Sequence, residues 1–136
     1  MNISSPASTP AKRSPRPRGL TIVAVLMILF GLSEVVTGFT HNFFGLTTSY
    51  RTFSTVAAAA IGIFYVVGGA LILTMRKWAA ALAILLLGAD IVGRVALVVT
   101  GVYPLTSFEQ TAAILVGTLL AAFFALYVGS KWASFR

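Results

Sequence analysis

Apolar residues along this chain fall into four long runs, with polar residues gathered between them. The runs cover 20–40, 53–75, 78–100 and 108–130. Each has the length of about 20 residues that a helix needs to cross a bilayer. The first, LTIVAVLMILFGLSEVVTGFT, follows a basic segment as a signal peptide does. It is longer than a usual signal-peptide core of about 7–15 residues and has no small-residue cleavage site after it, so it reads as a retained span. The second carries no charge. Only Arg76-Lys77 separates it from the third, which makes those two spans an antiparallel hairpin. Ser107-Phe108-Glu109-Gln110 matches a capping box and opens the fourth helix, and Glu109 sits where a helix dipole favours an anion. The pattern predicts an all-α membrane protein, a four-helix transmembrane bundle with short loops.

Residues 1–19, MNISSPASTPAKRSPRPRG, have no apolar period and read as a disordered basic tail. The transmembrane domain is then 20–136. In the first loop, Phe43, Phe44 and Tyr50 suit a membrane interface, and Gly45 allows a turn.

Composition agrees with lipid as the solvent. Of 136 residues, 58% are hydrophobic and 10% charged, against roughly 25% charged in an average soluble domain. The net charge of +7 suggests nucleic acid, but its placement does not. Lys12, Arg13, Arg16 and Arg18 precede the first span, Arg76 and Lys77 join the second to the third, and Lys131 and Arg136 follow the fourth. The other loops hold only Arg51 and Glu109. Under the positive-inside rule this predicts a multi-pass protein of the cell membrane with both termini cytoplasmic. Trp78 and Trp132, in the echoed corners Arg-Lys-Trp-Ala and Ser-Lys-Trp-Ala, belong to the same interface. With no cysteine and one histidine, a transition-metal centre is not expected, and no cofactor-binding motif is present.

Small residues recur at helical spacing. Ala58, Gly62 and Gly69 share a face with Tyr65 on the second span. Ala113, Gly117, Ala121, Ala125 and Gly129 recur every fourth residue on the fourth and predict a helix-packing ridge. Ala89 and Gly93 form a similar pair on the third.

The candidate chemistry lies in the third span, where Asp90 and Arg94 sit four residues apart. That spacing puts them on one helix face, about 6 Å apart along the axis. Ionisable groups within a span normally point at other protein and mark a functional or assembly contact. Depth counting recruits more. Glu34 lies fourteen residues into the first span, Asp90 and Arg94 twelve and sixteen into the third, and Tyr65 ten from the near end of the second. At 1.5 Å per residue these four cover about 9 Å of depth. The economical arrangement is Arg94 bridging two carboxylates, with Tyr65 donating to either acid. Two acids and one base leave a surplus negative charge, balanced by a proton, water or a cation. Gly31, Glu34, Thr37, Gly38 and His41 form a polar face that offers an outer polar path to it.

Ser33-Glu34-Val35-Val36-Thr37-Gly38 resembles the first span of small multidrug-resistance transporters, which carry a membrane glutamate in a similar setting. The later spans lack that family's pattern, and the Asp90–Arg94 pair is foreign to it. The short four-span build also resembles DoxX-like membrane proteins, without a specific motif.

No nucleophile–base set or phosphate-binding loop is present, so no enzyme is expected. The sequence favours a non-enzymatic accessory protein or subunit of a membrane complex. Its partners are the lipid bilayer and either further copies of itself or a larger assembly, with no nucleic acid. The alternative is a proton-coupled transporter of a small molecule, a cation among the options, titrating at Glu34 or Asp90.

Overall fold

A computed structural model describes residues 16–43, 45–47 and 52–136. Four helices account for most of it: α1 (Arg18–Thr40), α2 (Thr52–Leu73), α3 (Lys77–Val99) and α4 (Phe108–Ser130). All four are long and apolar enough to cross a membrane. The protein is a four-helix transmembrane bundle. Large apolar side chains such as Leu29, Leu85, Leu119 and Leu126 face outward, as expected when the solvent is lipid.

The helix ends fall within two residues of those expected, and local chemistry explains the differences. Pro17 is the N-cap, with a non-helical ψ of 121°, and α1 starts directly after it at Arg18. The helix therefore takes in the last two residues of the expected tail. Residues 1–15 of that tail lie outside the described residues. So do Phe44, Tyr50 and Arg51 of the first loop, and the side chain of Phe43. What is described of this loop is a two-residue strand pair, β1 (Asn42–Phe43) and β2 (Leu46–Thr47), in antiparallel register. Gly45 turns it with φ +91°, and its N–H donates to Asn42 Oδ1 at 2.7 Å.

α2 ends two residues early because Met75 enters the left-handed region at φ 57°, which closes the turn into α3. α4 opens on its cap as the capping-box motif predicts. Gln110 N donates to Ser107 Oγ at 3.2 Å. The glutamine side chain reaches back one residue further than in the usual box, with its Oε1 accepting from Thr106 N at 3.1 Å and Thr106 Oγ1 at 2.9 Å. Ser107→Ala leaves the Gln110 N–H unsatisfied and is expected to lower stability by about 1 kcal/mol, read as a lowered unfolding midpoint in detergent.

The helices pack in sequence order, α1 on α2, α2 on α3 and α3 on α4. α1 and α2 come closest. A Cβ on Gly31 would lie 2.5 Å from the Gly62 carbonyl oxygen, and a Cβ on Gly62 would lie 2.5 Å from that of Gly31. Gly69 repeats the fit one step further along, at 2.6 Å from the Ala24 carbonyl.

The expected ridge on α4 is shorter than five residues. Ala113, Gly117 and Ala121 are buried, Ala125 is half-buried, and Gly129 is exposed with nothing near it. Four-residue steps advance about 40° beyond a full turn each time, so the row winds out of the bundle. Phe124 and Val128 take over the buried face.

The bundle has two unlike halves. Toward the basic end, Leu20, Ala24, Met27, Ile72, Leu87 and Phe124 form a dry apolar core. Toward the other end, the buried polar side chains are Glu34, Thr37, Asp90 and Arg94.

Candidate functional site

The site is built by α1, α2 and α3 at one depth. Asp90 and Arg94 share the inner face of α3, one turn apart. Glu34 arrives on the face of α1 that also carries Gly31, Thr37 and Gly38, all of them buried. Tyr65 comes from α2 between Gly62 and Gly69.

Arg94 joins the acids as depth counting suggested. Its Nη2 donates to Glu34 Oε1 at 2.7 Å and its Nε to Asp90 Oδ1 at 2.8 Å. Tyr65 selects Asp90, with its hydroxyl donating to Oδ2 at 2.9 Å. All four side chains are almost fully buried, Asp90 most completely at 1% exposure. One guanidinium thus ties α3 to α1, and one phenol ties α2 to α3.

The two acids are not equivalent. Both Asp90 oxygens are engaged, one by Arg94 and one by Tyr65. Among the described residues, Glu34 receives only the single bond from Arg94. Arg94 is shared between the two acids, and Glu34 is the less fully hydrogen-bonded of them.

Glu34 also lines a cavity of about 50 Å³ with Thr37, His41, Thr55, Arg94 and Tyr103. A water needs roughly 10–15 Å³ measured this way, so there is room for a few. Thr37 and His41, the residues of the expected outer path, both line this cavity. Thr37 turns its hydroxyl proton to the Ser33 and Asn42 carbonyls, at 2.8 and 3.1 Å, which leaves its oxygen as an acceptor. His41 closes α1 in the left-handed conformation at φ 57° and is half-buried.

Two participants are not visible in the sequence pattern. Tyr103, in the α3–α4 loop, is buried at 6% exposure and forms part of the cavity wall. Burial, reinforced by the Glu34 charge, pushes its phenol above the usual value. No spacing rule marks it, because its place depends on how the loop folds back. Gly117 reads as a ridge residue, but its missing side chain makes room for the Arg94 guanidinium, which a Cβ there would overlap. Gly117→Ala is expected to displace Arg94 and lower stability by about 2 kcal/mol. The same change at Gly88, with open space around it, is the control. Comparing the two unfolding midpoints checks this.

A second, apolar groove of about 490 Å³ lies between α2 and α3. Ala57, Ala60, Gly93 and Ala96 line it, Phe53 and Phe64 stand at its side, and Asp90 reaches it from the interior. Ala57, Ile61 and Leu97 border both spaces and form the wall between them. No family model, curated protein or solved structure matches this chain, so neither family resemblance gains support.

Proposed function

We propose that the chain is a non-enzymatic subunit or accessory protein of a membrane complex, and that the α2–α3 groove is where its partner packs. The carrying observation is the groove itself, lined by small residues and left uncovered by the rest of the bundle. Lipid offers no hydrophobic drive between helices, so close approach of backbones over small residues is what favours association. Gly31, Gly62 and Gly69 are consumed between α1 and α2, whereas Ala57, Ala60, Gly93 and Ala96 line the open groove. The basic residues at one end support an orientation with both termini cytoplasmic in the cell membrane. A single cysteine introduced at Ser134 in this cysteine-free chain tests that orientation by labelling from either side.

The test of the assembly reading is mass in nanodiscs, with and without Gly93→Leu. A defined oligomer or complex that Gly93→Leu disperses supports it. A lone monomer in both cases overturns it.

One observation favours a second reading, proton-coupled transport of a small, cationic substrate. Glu34 holds a single hydrogen bond, from Arg94, and lines a cavity with Thr37 and His41. Here Glu34, rather than Asp90, is the group that exchanges with the outer side. In vesicles, cation-dependent change of internal pH that Glu34→Gln abolishes supports this reading, and flux indifferent to Glu34→Gln removes it.

A further inference from the structure

At the basic end, two segments far apart in sequence are joined backbone to backbone. After α4, a single 3-10 turn over Trp132–Ser134 reverses the chain, and Phe135 is buried in the core at 3% exposure. Arg136 then lies along the α2–α3 turn. Its N–H donates to the Met75 carbonyl at 3.0 Å, and its carbonyl accepts from Lys77 N at 2.7 Å. These two bonds straddle Arg76. They bring the cationic side chains of Arg76, Lys77 and Arg136 to one corner, all three exposed.

Side chains do not balance them: in a chain ending at Arg136 the main-chain carboxylate offsets one of the three charges and leaves two. The chain has three acids. Glu34 and Asp90 are occupied by Arg94, and Glu109 starts α4 at the opposite end of the bundle. Among the described residues no side-chain carboxylate pairs with the corner. Nearby Arg16 is already used, donating to the Leu73 carbonyl at 2.8 Å. Like charges held together by backbone bonds repel unless a counter-ion joins them.

We propose that this corner binds the headgroup of an anionic phospholipid. Arginine forks match phosphate oxygens in pairs, and a lysine adds a point charge. The location selects a lipid over a soluble anion. Trp78, directly after Lys77, and Trp132, four residues before Arg136, are both exposed and mark the headgroup level. Lipid-facing helix surface continues directly below them, where the acyl chains lie. The site depends neither on the α2–α3 groove nor on Glu34.

The experiment uses the full chain in nanodiscs of equal phosphatidylcholine and phosphatidylglycerol, with retained lipids counted by native mass spectrometry. Phosphatidylglycerol is expected to be retained preferentially. The triple variant R76Q/K77Q/R136Q keeps both backbone bonds and is expected to lower that preference about 100-fold, since each base near an anionic surface is worth about 1 kcal/mol. The charge-matched variant K12Q/R13Q/R18Q is expected to change it by less than about twofold, below the effect of a single corner base. Should the triple variant fail to fold, Arg136→Gln alone takes its place, with an expected loss of about fivefold. Equal losses from corner and tail variants overturn the proposal in favour of diffuse attraction, as does the absence of any preference in the parent protein. Stabilisation of the protein in pure phosphatidylcholine by inorganic phosphate, matching that from phosphatidylglycerol, also overturns it, because the ligand is then a soluble anion.

Discussion

Arg94→Gln is expected to lower the stability of the bundle by about 3 kcal/mol, the usual loss when one partner of a buried ion pair is removed. The size follows from what remains. Glu34 and Asp90 are left at one depth without the cation that both hold at 2.7 and 2.8 Å. Each must then stay charged in a low-dielectric site or take up a proton. Glu34→Gln is the milder change, because the amide oxygen still accepts from Arg94 and Asp90 still neutralises the guanidinium. Its expected loss is about 1 kcal/mol or less, in line with interhelical polar contacts in membranes, which average about 0.6 kcal/mol. Reversible unfolding of the single variants and of the double variant E34Q/R94Q measures the coupling. A coupling energy near zero means that the two residues do not meet. A loss from Arg94→Gln no larger than that from Glu34→Gln contradicts the assignment of Arg94 as the shared centre.

Gly31→Val or Gly62→Val is expected to disrupt the bundle more severely than any polar substitution outside the triad. At each position even a Cβ would lie 2.5 Å from the facing carbonyl oxygen. That oxygen belongs to helix backbone and cannot swing aside, so α1 and α2 must separate over much of their length. Overpacking a well-packed core typically costs about 1–3 kcal/mol. Gly31→Ala belongs at the upper end of that range, and the valine variants are expected to fall beyond it. Gly88→Ala is the internal control. It meets nothing within 4 Å and replaces a poor helix former with a better one, so it is expected to be neutral or stabilising by up to about 1 kcal/mol. Thermal unfolding by circular dichroism in detergent separates these outcomes. Similar midpoints for Gly31→Ala and Gly88→Ala contradict the close approach of α1 and α2.

The α1–α2 contact also bears on the site. Glu34 is one turn beyond Gly31, and Tyr65 is three residues beyond Gly62. The glycine contact therefore sets the spacing between the helices that present the acid and the phenol. Loosening it is expected to weaken the Arg94–Glu34 bond along with the packing.

Depth along the membrane was legible in the sequence. A helix rises 1.5 Å per residue whatever surrounds it, and the turns between spans are short. Counting from span ends therefore placed Glu34 level with Asp90 and Arg94, and the bridging arginine followed. The four spans and the cap at Ser107 are local in the same sense, set by run length and by side chains within one turn. Rotation about each helix axis was not legible in this way. The row Ala113–Gly117–Ala121–Ala125–Gly129 reads as one ridge, yet only its first three residues are buried. A helix turns its face toward its neighbours, and those neighbours come from elsewhere in the chain. Tyr103 in the cavity wall, Gly117 beneath Arg94 and Arg136 beside Arg76 share that dependence. Which acid is the more fully hydrogen-bonded depends on it too, because Tyr65 had to turn toward one of them. The sequence by itself determined the spans, the cap at Ser107 and the relative depth of Glu34, Tyr65, Asp90 and Arg94, since those follow from fixed rise and short-range bonds. Only the tertiary structure decided which faces meet, and through them where the cavity opens and which acid lines it.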